Sequence, residues 1–434
     1  MKIIGASAAE IFDSVRRLAQ TGQLQPGQAL PPVRDLAATL DVNRNTVASA
    51  YKRLVAAGIA ATQGRLGTVI RGLEGAGEQE GVLPGSPLID LASGNPDPAW
   101  LPDLAAGFTR RHYRPRLYGE PPVQPELDAH ARQWFAGDCP ARFEIDLTHG
   151  AVDAIERLLS AYLVAGDPVA VEDPCFLSSI NTLRISGFQA LGVAVDAQGM
   201  QAESLEAALA QGAQAVIVTP RAHNPTGCSL SRKRASELRA LLERHPHVLV
   251  IVDDHFALLC EAAYHSIIPT SAQRWALIRS VSKVLGPDLR LAFVASDSRT
   301  SLRLRRRLAS GTNWVSHFLQ DAVDACLSSS EMAAQVARAR DEYAIRRSAL
   351  ASALAAQGIA AATPADGLNL WLPLRQDSQP IAAALARYGW LVRAGEAFGV
   401  QTPARGLRIS VSTLDDAQAQ RLAVDMRRVL GHWG

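Results

Sequence analysis

Apolar positions along the first sixty residues recur at helical spacing, and the pattern then changes. Ile11, Val15 and Leu18 stand at i, i+4 and i+7, which predicts a helix over residues 6–20. A turn rich in Gly, Pro and Gln covers 21–30. Pro31-Pro32 then opens a short helix with Val33, Leu36, Ala37 and Leu40 on one face. Asp41-Val42-Asn43 makes a three-residue turn, and Asn43 is a good N-cap for a third helix. Val47, Ala50, Tyr51 and Leu54 form the apolar stripe of that helix, and Gly58 is its stop. Two short strands follow, 59–63 and 68–71, around a Gly-Arg-Leu-Gly hairpin. The periodicity lapses over 72–87, a run of Gly, Glu, Gln and Pro that reads as a linker able to span about 50–55 Å when extended. From residue 88 onward, strand-like runs alternate with helical segments, as at 168–172, 215–219, 248–252, 275–281 and 291–295. Such alternation predicts α/β architecture with a mostly parallel sheet.

Length and charge sharpen this division. The 434 residues suffice for two or three domains of about 100–200 residues each. The whole chain carries a net charge of only +2. Residues 1–72, however, hold nine basic side chains against four acidic ones. A basic head on a slightly acidic body fits nucleic-acid binding confined to the head. The five cysteines are far apart and lack metal-ligand spacing, which predicts reduced thiols and no metal site. No apolar run approaches the roughly 20 residues that span a bilayer, and no secretory leader pattern opens the chain. The expectation is a soluble, cytoplasmic protein.

Two helices separated by a tight turn have the geometry of a helix-turn-helix, in which the second of them enters the major groove N-terminus first. Asn43, Arg44, Asn45 and Thr46 stand at that end. Arg can grip guanine O6/N7 and Asn adenine N6/N7. Lys52 lies further along, suited to phosphate, and Arg65 tips the hairpin. The run LPPVRDLAATLDVNRNTVASAYKRLVAAGIAATQGRLGTVI resembles the GntR-type winged helix-turn-helix. That resemblance implies a DNA-binding domain over 1–71 and DNA contacts from Arg34, Arg44, Asn45, Thr46 and Arg65.

In the second part, Ser280-Val281-Ser282-Lys283 ends a strand, with Arg290 just beyond. A buried Lys amine loses its ammonium solvation and becomes nucleophilic enough to form a Schiff base. Hydroxyls and an Arg in one loop suit a phosphate. Thr148-His149-Gly150-Ala151 precedes a helix whose N-terminus can cradle phosphate. Phe176 follows a strand and could stack on a pyridine ring. Asn224 could bond a ring hydroxyl, Asp253 could hold a pyridine nitrogen protonated, and Arg408 offers a grip for a ligand carboxylate. Asp254 reads as a solvated or structural neighbour of Asp253. The Arg-rich run 303–307 reads as a solvated helix face, and His149 and His223 as packing residues.

The order of LASGNPDP, YGEP, LTHGAVDAI, EDPCF, HNPTG, IVDD, SVSKVLGPDLR and GLRIS resembles the fold-type I pyridoxal 5′-phosphate (PLP) enzymes of aminotransferase classes I and II, across 88–434. The resemblance implies a large α/β domain and a smaller C-terminal α+β domain. It assigns Lys283 the internal aldimine and Asp253 the pyridine nitrogen. Phosphate would fall to Gly150, Ala151, Ser280, Ser282 and Arg290, stacking to Phe176, and O3′ to Asn224. Tyr118 would reach the phosphate of a neighbouring subunit, implying a homodimer whose heads could cross onto the partner. Arg408 would be the carboxylate clamp. Two departures weigh against transamination. Phe256 stands where aminotransferases usually carry Tyr, so that only His255 could replace the lost hydroxyl, and YGEPPVQPEL lacks the usual Gly and Arg.

Both patterns in one chain resemble the MocR subfamily of GntR regulators. The runs VNRNTVASAYKRL and AVEDPCFLSSIN are similar to those of vitamin B6 salvage regulators in that subfamily. This implies a regulator that senses PLP or a related vitamer at Lys283 and controls a pyridoxal-kinase gene. The alternative is a PLP-dependent aminotransferase carrying a DNA-binding head.

Overall fold

The computed structural model describes residues 2–57, 59–63, 67–70, 80–81, 85–104 and 114–431. They fall into two compact units, an N-terminal head and a larger body. In the head, Ser7 starts helix α1 (Ala8–Gln20) two residues later than the periodicity suggests, because its side chain accepts from the Glu10 amide while the Glu10 carboxylate reaches back to Ser7. Helix α2 (Val33–Leu40) ends at Asp41, whose φ of 54° turns the chain left-handed. Helix α3 (Arg44–Ala56) follows, capped by the Asn43 side chain on the Asn45 amide at 2.8 Å. Strands β1 (Ala60–Gln63) and β2 (Gly67–Ile70) pair antiparallel, with Ala60 opposite Ile70. Ile11, Val15, Leu36, Val47, Ala50, Leu54 and Ile70 meet in one small core, and the Tyr51 hydroxyl donates to the Pro31 carbonyl at 2.7 Å. The expected helix stop Gly58 and the hairpin-tip Arg65 lie outside the described residues.

Among the described residues the body contains two sheets. Strand β3 (Ile89–Leu91) precedes β4 (Glu144–Thr148), β5 (Pro168–Asp173), β6 (Gln189–Asp196), β7 (Gly199–Met200), β8 (Ala215–Val218), β9 (Leu249–Asp253), β10 (Trp275–Ser280) and β11 (Ala292–Ser296). Strands β12 (Asn369–Pro373), β13 (Trp390–Ala394) and β14 (Gly406–Ser410) complete the set. The large sheet has the order β4-β11-β10-β9-β8-β5-β6-β7. Strands β5, β8, β9 and β10 are parallel, whereas β11 runs antiparallel to both β10 and β4. The run at 291–295 is thus a reversed member of a mostly parallel sheet. The second sheet, β12-β14-β13-β3, pairs β3 from the start of the body with the C-terminal strands. Each sheet has its own apolar core. No helix among the described residues is long and apolar enough to cross a membrane.

This topology decides where the loops meet. Strands β4, β5, β8, β9 and β10 point the same way, so their carboxyl ends share one edge, the usual ligand-binding edge of an open α/β sheet. Because β11 is reversed, its amino end lies at that same edge. Ser280, Ala292 and Thr148 stand in register across β10, β11 and β4, which brings Arg290 beside His149 and Gly150.

The arginine run on the helix Ser298–Ala309 is not a plainly solvated face. Arg305 binds Asp146 at 2.6 Å, Arg303 donates to the Ala161 carbonyl and Arg307 to the Ser160 carbonyl, pinning the helix to its neighbours.

Candidate cofactor pocket and DNA-binding surface

On the head, Arg34, Asn43, Arg44, Asn45 and Lys52 are exposed and Thr46 is half-buried at the start of α3. Asn43 caps α3 through its Oδ1, and the Arg44 and Asn45 side chains stand exposed at the same end of the helix.

In the body, Thr148–Ala151, Ser280–Lys283 and Arg290 meet at this edge. Gly150, at φ 97°, is the N-cap of the helix Ala151–Tyr162. A Cβ there would stand 2.9 Å from the Arg290 guanidinium, so the close approach needs glycine. Arg290 itself holds φ 45°, rare for a side-chain-bearing residue, and from that turn donates to the His149 carbonyl at 3.1 Å. Ser280 and Ser282 are joined by a hydroxyl–hydroxyl bond of 3.1 Å. A helix N-terminus, two hydroxyls and a guanidinium form an anion cradle suited to phosphate.

Lys283 follows directly on Ser282. Its amine donates to the Gly94 carbonyl at 2.7 Å. Burial lowers its pKa below the ordinary lysine value; Glu80 opposes this and Arg408 reinforces it. The amine therefore becomes neutral at a lower pH than a surface lysine, as carbonyl attack requires. Asp253, at the end of β9, is buried, and its Oδ1 has no hydrogen-bond partner among the described residues; the Oδ2 lies 3.4 Å from His255 Nδ1. A buried carboxylate oxygen without a donor is costly unless a ligand supplies one, and a protonated pyridine nitrogen is such a donor. The rings of Phe176 and His255 face each other at 6.1 Å and 23°, offering flat surfaces for a heteroaromatic ring. The residues present thus fit PLP.

Phe256 is packed in the body core, 1% exposed. No hydroxyl stands there, and His255 is the polar group beside Asp253. Asp254 is fully buried and takes Arg221 through two bonds, 3.0 and 2.6 Å, and Arg279 through a third at 3.0 Å. It is a structural residue, one of the two roles its sequence position suggested. Tyr118 is 90% exposed, its ring edge-on to Trp314 at 5.4 Å.

Sequence reasoning missed three participants. The buried pair His223–Glu172, 3.4 Å apart, sits at the carboxyl ends of β8 and β5. Burial favours neutral imidazole, but the Glu172 carboxylate and the Cys228 sulfur outweigh it and raise the His223 pKa to about 10. His223 is therefore more than a packing residue. A histidine with a raised folded-state pKa contributes stability in full below its unfolded value of about 6.5, and that contribution is lost as pH rises through about 10. The melting temperature should fall across that window, and His223→Gln should flatten the fall. Equal slopes for the two proteins would refute the pairing. Gly94 and Glu80 are the two others. Glu80 lies within the segment expected as linker, yet its carboxylate meets Arg408 (Oε2 at 2.8 Å) and Asn224 Nδ2 (3.1 Å). An acidic residue in a low-complexity run gives no sequence signal for such a role.

A winged helix-turn-helix joined to an α/β body with a lysine, an aspartate and a phosphate cradle at one sheet edge defines a DNA-binding regulator built on a PLP enzyme fold. Residues 86–425 match the family "Aminotransferase class I and II" and residues 7–70 match "Bacterial regulatory proteins, gntR family". The chain belongs to the GntR-type transcription regulators whose body is an aminotransferase domain, the MocR arrangement, and PLP is the cofactor of that body. It is 57% identical over 428 residues, 99% of each chain, to the vitamin B6 salvage pathway transcriptional repressor PtsJ of Salmonella typhimurium. It is 27% identical to the pyridoxine biosynthesis transcriptional regulator PdxR of Corynebacterium glutamicum, over 78% of this chain and 77% of that one. Among solved structures, kynurenine aminotransferase of Pyrococcus horikoshii superposes with a TM-score of 0.73 at 21% identity, covering 80% of this chain and 92% of that one, a likeness of fold.

Proposed function

We propose that the protein is a PLP-responsive regulator of vitamin B6 salvage acting in the cytoplasm, with PLP or a related vitamer bound covalently at Lys283 as effector and a pyridoxal-kinase gene as target. The observation that carries the sensing reading is the Oδ1 of Asp253, a buried acceptor without a partner among the described residues, at the sheet edge that also presents Lys283. When bound, PLP supplies an electrophilic carbonyl carbon and an electron-withdrawing ring. Asp253 would hold the ring nitrogen protonated, with Asn224 or His255 at O3′ and Phe176 on the ring face. Gly150, Ala151, Ser280, Ser282 and Arg290 would hold the phosphate. The exposure of Tyr118 supports a homodimer in which that residue completes the partner's site. The identity with a salvage repressor supports a target within vitamin B6 salvage and a repressor sense. Titrating operator binding with PLP and with pyridoxal tests the reading; an operator affinity indifferent to both would refute it.

For the head, Arg44 and Asn45 would read bases, Lys52 would position the protein on phosphates, Arg34 and Thr46 would add DNA contacts, and Arg65 would reach the minor groove. Arg44→Ala should cost about 1–3 kcal/mol and relax specificity at one base pair. Lys52→Ala should weaken binding to all sequences alike and lower the salt slope by about 1. Operator titrations against single-base variants at several salt concentrations check both, and identical behaviour of the two variants would count against the assignment.

The intact set of Lys283, Asp253 and Arg408 favours a second reading, an aminotransferase carrying a DNA-binding head. Phe256 weighs against it, because the pocket lacks that position's hydroxyl. Turnover of an amino acid and a 2-oxo acid at about 1 s⁻¹ or faster would establish it.

A further inference from the structure

The carboxylate grip at Arg408 is filled from within the chain. Arg408, in the middle of β14, is fully buried, and a buried guanidinium needs an anionic partner. Glu80 supplies it in two-pronged fashion, Oε1 on Nη1 at 2.5 Å and Oε2 on Nη2 at 2.8 Å. Asn224 braces both partners, donating Nδ2 to Glu80 at 3.1 Å and accepting from Arg408 at 3.0 Å. The Ala92 carbonyl takes a further Arg408 proton, and the guanidinium lies over the Phe398 ring at 5.1 Å. Planar pairing of this kind is how an arginine receives a free carboxylate. Gly94 makes the approach possible. At φ 67° it has no Cβ, and one placed there would stand 2.7 Å from Glu80 Oε2. The same residue's carbonyl holds the Lys283 amine, so Glu80, Arg408 and Lys283 share one wall. The neighbouring backbone is tied down as well: the Gly81 amide donates to the Ser93 carbonyl at 3.0 Å, and Arg393 donates to the Gly81 carbonyl at 3.0 Å.

Burial works against the Glu80 charge, but Arg408, Lys283 and Asn224 together outweigh it and keep the pKa below the ordinary carboxylate value. Glu80 is thus an anion at neutral pH.

We infer that Glu80 is an internal pseudo-ligand: it occupies the subsite that would take the carboxylate of an α-amino acid or similar acid, so that such a ligand and Glu80 compete for Arg408. The ligand class rests on the proposed PLP pocket; the competition itself does not. Exchanging one carboxylate for another leaves Arg408 paired, so expulsion of Glu80 carries little electrostatic penalty. The ligand's apparent affinity is instead reduced by the fraction of molecules in which Glu80 is docked. A carboxylate-free vitamer has no such competitor. In sequence, Glu80 follows the head by about ten residues, so its release is a direct way for a carboxylate ligand to alter the connection between head and body.

Acetate serves as a cofactor-independent probe on the full-length protein. Glu80→Ala should lower the melting temperature, and acetate, but not chloride at equal ionic strength, should restore it. Wild type should respond far less, and Glu80→Gln, which keeps hydrogen bonding without the charge, should fall between. Absence of any acetate-specific effect in Glu80→Ala would overturn the pseudo-ligand assignment even if PLP binds. With PLP-loaded protein, L-alanine titrated against the visible band should show an apparent affinity at least about tenfold tighter in both variants than in wild type. In wild type, bound L-alanine should speed hydrogen exchange at the Gly81 amide, which donates to the Ser93 carbonyl, whereas ethylamine should not. Equal L-alanine affinities in all three proteins would also overturn the competition. Loss of the visible band throughout, with acetate rescue intact, would sink the PLP reading and leave the Glu80–Arg408 exchange standing.

Discussion

Lys283→Ala is expected to abolish both the visible band of bound PLP, at about 410–430 nm, and the response of operator binding to PLP, while leaving operator affinity without PLP unchanged. The expectation follows from geometry. The Lys283 side chain is bonded through its amine to the Gly94 carbonyl, and burial of that amine pushes it toward its neutral form. No other lysine stands among the residues gathered at this sheet edge. Removing it leaves Glu80 still paired with Arg408, so the local fold has no new unpaired charge to accommodate. Spectra and gel-shift titrations of wild type and variant read the two effects together. A variant that still changes its operator affinity with PLP would show that contacts to the ring and phosphate suffice, and the covalent reading would fall.

The second large effect separates two adjacent aspartates. Asp254→Ala is expected to destabilise the body by about 3–5 kcal/mol, because Arg221 and Arg279 lose the fully buried carboxylate between them. Asp253→Asn is expected to leave stability nearly unchanged, since the Asp253 Oδ1 already lacks a partner among the described residues, and to weaken PLP binding. Chemical denaturation and PLP titration of both variants check the division. A PLP defect without a stability defect in Asp254→Ala would reverse the roles assigned here.

Periodicity alone carried the head far. Ile11, Val15, Leu36, Val47 and Leu54 were legible as core at helical spacing, and they are buried together. The start of α1 was less legible, because it depends on a reciprocal bond between Ser7 and Glu10 rather than on apolar spacing. In the body, strand runs were legible but not their direction. Nothing in 291–295 says that β11 is reversed, since period and composition are the same for either orientation. Arg290 was expected among the phosphate residues, yet only the reversal of its strand explains how it reaches Gly150.

Local motifs and their order encode the two-part plan, the helix-turn-helix with Arg44 and Asn45 at the start of its second helix, and Lys283 and Asp253 as candidate cofactor residues. The tertiary structure alone decided which groups complete the pocket. The His223–Glu172 pair joins the ends of two strands, Asp254 is claimed by arginines from two other segments, and Glu80 reaches an arginine 328 positions away. Such partnerships depend on burial and strand order, and no local pattern along the chain records them.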